Sequence, residues 1–257
     1  MKPIIFVHGA WCGNWVWEKL LKELEGKPYT FHFAELPYRD QTDKVQISTA
    51  NFKYYVDSVR KVVTEVERKT GQKPVMIGHS LGAVIVQSLA SSGCVDKAIL
   101  IAPASPGGVF QITPKMLQVF SWWVTRWGFW KTSSKMPFDH FHRYLLNGWD
   151  DESAAMFYQK LVHDSGRVLA QIAFWHSSTF VPAASIACPV LCLAGKRDHI
   201  ATPALVNNLA QRYRGRYLEY DASHFLFHET EHVKEVAKDI SAFVDEMSAV
   251  TDRRNAS

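Results

Sequence analysis

The sequence is short of several things, and each shortage removes a class of protein. Cysteine is scarce: Cys12, Cys94, Cys188 and Cys192 are the only four in 257 residues, and none forms a C-x-x-C pair. That excludes a disulfide scaffold and predicts reduced thiols, buried as small hydrophobes in a cytoplasmic protein. Long apolar runs are missing too. The aromatic-rich stretch Val119 to Trp130 is broken by Arg126 and Gly128, which argues against a membrane span; membrane contact of that segment, as in an interfacial lipase, is the weaker expectation. Ile4-Ile5-Phe6-Val7 is too short for the apolar segment of a secretory signal. Charge of one sign is not concentrated: 29 Lys+Arg against 25 Asp+Glu leaves +4, spread along the chain, which argues against a nucleic-acid partner. No G-x-G-x-x-G or P-loop cradle is present. His140, His142 and His163 lie near Asp139, Asp150 and Asp151, but without the spacing that puts metal ligands on one face. The expectation is therefore no metal and no cofactor.

What is present is a globular chain, 47% hydrophobic and 21% charged, able to bury a sizeable core. Short apolar runs alternate with helical patterns. Pro3–Val7, Tyr29–Phe33, Pro74–Ile77, Lys97–Ala102, Pro189–Leu193 and Arg216–Tyr220 read as strands. Phe52, Tyr55, Val56, Val59, Val62, Val63 and Val66 form one face of a helix that stops at Gly71. Leu81–Ser92, Pro203–Gln211 and a stretch from Val233 to Met247 read as further helices. The alternation predicts an α/β fold, a mostly parallel central sheet flanked by helices.

Between Pro106 and Val181 the rhythm breaks. Six of the nine tryptophans lie there: Trp122, Trp123, Trp127, Trp130, Trp149 and Trp175. The strand–helix pattern continues on both sides, so residues 106–181 are expected to be a mainly helical insertion into one core domain, residues 1–105 and 182–250. Residues 251–257 are a polar tail. Phe110, Leu117, Phe120, Trp123, Trp127 and Trp130 are spaced for one helix face.

The most informative segment is Gly78-His79-Ser80-Leu81-Gly82, a G-x-S-x-G between a predicted strand and a predicted helix. A serine hydroxyl is a weak nucleophile until a base takes its proton. A sharp strand-to-helix turn exposes it, and glycines on either side remove side chains that would clash there. The helix that follows aims its free N–H groups at the site. The plain alternative is a helix-capping serine beside a glycine turn; the flanking strand and helix favour the nucleophile.

Together with His8-Gly9-Ala10-Trp11 after the first strand, this motif resembles the α/β-hydrolase superfamily. The start, Ile4-Ile5-Phe6-Val7-His8-Gly9-Ala10-Trp11-Cys12-Gly13-Asn14-Trp15, is particularly similar to the small esterases related to plant methylesterases and hydroxynitrile lyases. The resemblance implies the α/β-hydrolase fold with a helical cap over the nucleophile, and a monomer or homodimer acting on a small-molecule ester. It implies oxyanion donors at the backbone N–H of Leu81 and of Ala10, with Trp11 the neighbouring candidate if the register differs by one. The chain order Ser, Asp, His assigns the acid to Asp198, in the turn after Pro189–Leu193, and the base to His224, after the last strand. His199 is the fallback second to these, while His228 and His232 are expected to face solvent.

Trp11, Trp123, Trp127 and His79 are the expected substrate-binding residues. The aromatics either line the pocket or build only the cap's own core, and both readings predict an apolar or aromatic substrate moiety. Hydroxynitrile lyases typically carry Thr where Gly9 stands and Lys just after the catalytic His, where Phe225 stands; both departures point towards ester hydrolysis. C–C bond hydrolases, lactonases and thioesterases share the machinery, and a ligand-binding receptor is the non-enzymatic alternative.

Overall fold

The computed structural model describes residues 1–40, 44–109, 114–174 and 177–246. Its strands are, in chain order, β1 (Lys2–Val7), β2 (Tyr29–Ala34), β3 (Val75–His79), β4 (Lys97–Ile101), β5 (Ser133–Ser134), β6 (Asp164–Ser165), β7 (Val190–Gly195) and β8 (Arg216–Tyr220). Six of them form one sheet in the order β2-β1-β3-β4-β7-β8, every neighbouring pair parallel. The four central strands are buried along nearly their whole length, which is why they read as continuous apolar runs and not as alternating ones.

The helices are α1 (Glu18–Glu23), α2 (Lys44–Thr49), α3 (Phe52–Thr70), α4 (Leu81–Ser91), α5 (Pro114–Val124), α6 (Phe138–Leu145), α7 (Asp151–Gln159), α8 (Gly166–Ala173), α9 (Pro203–Arg212) and α10 (Val233–Asp245). Local chemistry explains their limits. Asn51 Oδ1 accepts the Tyr54 N–H at 2.9 Å to open α3, and Gly71 closes it. The face of α3 that buries Phe52, Tyr55, Val56, Val59, Val63 and Val66 is the one its spacing predicts, apart from Val62 at its edge.

Register decides what the strand ends can do. Val7 pairs with Gly78, and Ile101 with both His79 and Leu193, so the loops after β1, β3, β4 and β7 leave the sheet at one level. Gly195 pairs with Tyr220, which brings the loop after β8 beside the loop after β7. In open α/β sheets, ligands bind at this carboxyl end of the strands.

Residues 106–181 leave the sheet after β4 and return before β7. Gly107 donates its N–H to the Thr179 carbonyl at 2.8 Å, so the two ends of the segment meet. It carries α5 to α8 and the small antiparallel β5–β6 ladder. The single aromatic face expected from 110 to 130 does not form. Helix α5 ends at Val124, the chain turns at Gly128 with φ +78°, and a short 3-10 turn follows over Phe129–Lys131. Phe110, Trp175, Met247 and the tail lie outside the described residues. Among the described residues no helix is long and apolar enough to cross a membrane.

Candidate active site

The turn between β3 and α4 places Ser80 at φ +51°, ψ −116°, a conformation costly for any residue with a side chain. Neighbours hold it there. The Ser80 N–H donates to the Ile101 carbonyl at 3.1 Å, and the Ser80 carbonyl accepts from Ala104 N–H at 3.2 Å. The side chain makes no capping hydrogen bond to α4, so the helix-capping alternative fails. Gly82 explains the motif's glycine: a Cβ there would sit 2.2 Å from the Val7 carbonyl oxygen. Gly9 is close-packed too, though less tightly: a Cβ there would meet His79 Nδ1 at 2.8 Å and Ser80 Cβ at 3.1 Å.

Asp198 and His224 come together at the neighbouring loops. His224 Nδ1 lies 2.6 Å from Asp198 Oδ2, with both residues almost wholly buried. Asp198 Oδ1 accepts the backbone N–H groups of Ile200 at 2.8 Å and Ala201 at 3.0 Å, which leaves Oδ2 turned to the imidazole. The His224 loop is pinned through Ser223, whose N–H donates to Glu229 Oε1 at 2.7 Å; Arg197 in turn donates to Glu229 at 3.1 Å. A histidine held by a carboxylate through Nδ1 keeps Nε2 as the outward acceptor. Ser80 and His224 both line one cavity, although no hydrogen bond joins them; such contacts commonly tighten only when substrate binds.

The space in and in front of that cavity, open solvent included, is about 800 Å³. Among the described residues its polar side chains are His79, Ser80, Ser105 and His224, and no charged group lines it. The remainder is apolar, including Trp11, Leu81, Phe120, Leu169, Ile172 and Phe225. Of the expected substrate-binding residues, Trp11 and His79 reach it. Trp123 and Trp127 do not. Trp123 is 2% exposed and packs 4.1 Å from the Phe129 ring, inside the insertion; Trp127, in the turn after α5, is 94% exposed. Trp127 lies beyond the end of α5 at Val124, where the helical phase is lost; Trp123, within α5, is taken up by the packing against Phe129.

The loop after β1 is held from several sides. His8 Nδ1 donates to the Gly9 carbonyl at 2.9 Å and its Nε2 accepts the Leu36 N–H at 3.2 Å. Burial, aided by the Arg39 charge, pushes the His8 imidazole down to about 3, so it stays neutral in both roles. Trp11 N–H donates to Asp164 Oδ2 at 3.0 Å and is not aimed at the cavity. The N–H groups of Ala10 and Leu81 donate to no group among the described residues. Of the two alternatives for the second oxyanion donor, the geometry leaves Ala10 available.

The histidines set aside by chain order take other places. His79 Nε2 donates to the His224 carbonyl at 3.1 Å beneath the cavity, and burial, with His224 nearby, keeps it well below the ordinary imidazole range. His199 meets Lys115 at 3.3 Å and stands outside the Asp198–His224 pair. His228 does not face solvent as expected. It packs among Trp15, Trp149 and Phe157, and burial pushes it down to about 4. Among the described residues no group of three His, Cys, Asp or Glu side chains could hold a metal.

Sequence reasoning passed over Arg39, Tyr55 and Asp164, which meet in a buried cluster behind Trp11. The one available signal was a tyrosine on the buried face of α3, since a buried phenol needs a partner.

The family model described as Alpha/beta hydrolase family matches residues 4–239. The chain belongs to the alpha/beta hydrolase family. Among solved structures, this hydrolase is similar to an esterase from Exiguobacterium antarcticum, at 14% identity and a TM-score of 0.73, over 96% of this chain and 92% of that one. It is also similar to a methylesterase from Arabidopsis, at 16% identity and a TM-score of 0.67, over 95% of this chain and all of that one. A third is an extracellular alpha/beta-hydrolase from a Paenibacillus species, described as sharing structural and functional homology with tobacco salicylic acid binding protein 2. It has 15% identity and a TM-score of 0.67, over 94% of this chain and 98% of that one. At such identities the likeness is one of fold. No curated protein matches this hydrolase closely in sequence.

Proposed function

We propose that this hydrolase cleaves small to medium carboxylic esters with an apolar or aromatic moiety, through Ser80, His224 and Asp198. The observation that carries the reading is the buried 2.6 Å Asp198–His224 pair opening, with Ser80, on a cavity that no charged group lines among the described residues. Ser80 Oγ attacks the ester carbonyl while His224 Nε2 takes its proton. Negative charge gathers on the carbonyl oxygen and is received by the N–H groups of Ala10 and Leu81, the latter at the start of α4. His224 then gives the proton to the departing alkoxide, leaving an acyl-enzyme on Ser80. Water, deprotonated by His224, releases the acid. Asp198 holds the imidazole in the required tautomer and stabilises it when charged.

The insertion serves in this reading as a cap that shapes the apolar part of the cavity. The lyase alternative is disfavoured by the packing at Gly9, where the threonine those enzymes carry would press on His79 and require its ring to shift. The Exiguobacterium and Arabidopsis neighbours, an esterase and a methylesterase, support ester chemistry by analogy. A fluorophosphonate probe should label the wild type and not Ser80→Ala. Ser80→Ala should also lower ester hydrolysis by about 10⁴-fold or more at an unchanged melting temperature. Normal turnover by folded Ser80→Ala would refute the assignment.

A further inference from the structure

We propose that Asp164, carried by the insertion, is a positioning residue: through Trp11 it sets the peptide N–H of Ala10 towards the nucleophile. The inference rests on the reading of Ala10 as an oxyanion donor. Trp11 sits at φ +61°, the left-handed region that a bulky side chain avoids unless its surroundings over-determine it. Here they do. Its N–H donates to Asp164 Oδ2 at 3.0 Å, and its carbonyl accepts the Val162 N–H at 2.8 Å. Its indole Nε1 donates to the Ser134 carbonyl at 3.0 Å. All three partners belong to the insertion, two of them within the β5–β6 ladder.

Asp164 is itself held from every side. Oδ2 also accepts from Arg39 Nη2 at 2.9 Å, while Oδ1 accepts the Tyr55 hydroxyl at 2.7 Å and the Ser165 N–H at 2.8 Å. The carboxylate is fully buried and lies outside the cavity lining, so it does not touch substrate. Burial alone would push its carboxyl up; Arg39 and the hydrogen bonds from Tyr55, Arg39 and Trp11 outweigh that and hold it below the usual range. A buried ion pair is a poor device for stability, because desolvation offsets the attraction. It is a good device for fixing geometry, and the geometry it fixes is one peptide away from the oxyanion donor. A clamp of this kind makes the insertion part of the catalytic apparatus as well as a roof over it.

Two paired variants separate the clamp from the charge. Asp164→Leu with Arg39→Met removes the ion pair and the acceptor for the Trp11 N–H. Asp164→Asn with Arg39→Met removes the pair but keeps an oxygen for that N–H. The first should lower kcat about ten- to hundredfold with KM within about twofold, since a displaced donor is lost only to the transition state. The second should recover most of kcat. Amide hydrogen exchange on the wild type should find the Trp11 N–H protected. In the Leu/Met variant that protection should vanish while β3 stays protected. Should the Leu/Met variant not fold, Tyr55→Phe serves in its place: the ring stays, one bond to the carboxylate goes, and kcat should fall a few-fold at constant KM. Wild-type kcat in folded Leu/Met, equal losses in both paired variants, or a freely exchanging Trp11 amide in the wild type would each overturn the proposal. A wild type that hydrolyses no ester and takes no fluorophosphonate fails the ester-hydrolase reading instead, and the exchange measurement still tests the clamp.

Discussion

The two halves of the cavity wall are built from different materials. The loops at the strand ends contribute every polar side chain that lines it: His79, Ser80, Ser105 and His224. Among the described residues the insertion contributes Met116, Phe120, Leu145, Leu169, Ile172 and Ala173, and nothing that can ionise. Two of its polar side chains instead hold the core loops. Asp164 takes the Trp11 N–H, and Asn147 Nδ2 donates to the Arg197 carbonyl at 2.8 Å, just before Asp198. The proposed reacting groups thus stand at the ends of the parallel strands, while the insertion supplies apolar wall beside them.

The largest way to break this division is to disable the strand-end half and see whether the insertion compensates. Asp198→Asn leaves a side chain of the same shape 2.6 Å from His224 Nδ1 but favours the wrong tautomer. Ester turnover should fall by roughly 10²- to 10⁴-fold with little change in KM. Steady-state kinetics on a p-nitrophenyl ester checks it, and a loss below threefold would remove Asp198 from the role.

The converse change strikes the insertion. Trp123 is almost fully buried against Phe129, with Phe120 6.3 Å away. Trp123→Ala leaves a large void in the insertion's own packing and should cost about 3–5 kcal/mol of stability. Denaturant unfolding measures it. The expectation drawn from aromatic spacing, that Trp123 shapes the pocket, gives the reverse: a changed substrate preference at unchanged stability.

How much could be read in advance follows the same division. The sheet is legible because buried parallel strands are apolar without interruption, as Ile99-Leu100-Ile101 and Leu191-Cys192-Leu193 are. The turn at Ser80 is legible because its glycines are demanded by backbone contacts too close for any Cβ. Helical phase in the insertion is not legible in the same way. Phe120, Trp123, Trp127 and Trp130 keep the spacing of one face, but α5 ends at Val124 and Gly128 then turns the chain in a left-handed conformation, so the periodicity does not reach Trp127 or Trp130. The Arg39–Tyr55–Asp164 cluster is hidden for another reason. Its members come from the loop after β2, from α3 and from the insertion, and only the tertiary fold makes them neighbours.

Acid tests the core and its seam with the insertion together. His8 lies under the β1 loop and is pushed down to about 3; His228 is wedged between Trp15 of the core and Trp149 and Phe157 of the insertion, and is pushed down to about 4. Burial is the first cause in both. Unfolding returns each imidazole to its ordinary value near 6.5, so the unfolded chain binds more protons throughout the interval between. Stability is therefore complete above about pH 7 and declines as pH falls from about 6.5 towards 4. A loss of a few kcal/mol by pH 5 is expected from urea titrations. His228→Phe should remove part of the slope and leave the part carried by His8 and by His79, which burial also holds well below the ordinary range. A slope unchanged by that substitution would deny the seam histidine its share.

The smallest effects draw the boundary of the cavity within the insertion itself. Phe120 lines it, whereas Trp127, seven residues later, stands in solvent. Each acyl methylene buried against the apolar wall contributes up to about 0.8 kcal/mol, or about fourfold in kcat/KM. Over an acetate-to-decanoate p-nitrophenyl series the wild-type profile should therefore climb and then level off when the cavity is full. Phe120→Ala enlarges the wall and should shift the levelling point to longer chains, with a loss of about 1 kcal/mol on the short ones. Trp127→Ala removes more surface but no wall, so the profile should keep its shape and stability should move by less than about 0.5 kcal/mol. A levelling point that moved with Trp127 and not with Phe120 would mean that the turn after α5 folds inward over bound substrate, and the line between pocket and surface would have to be redrawn there.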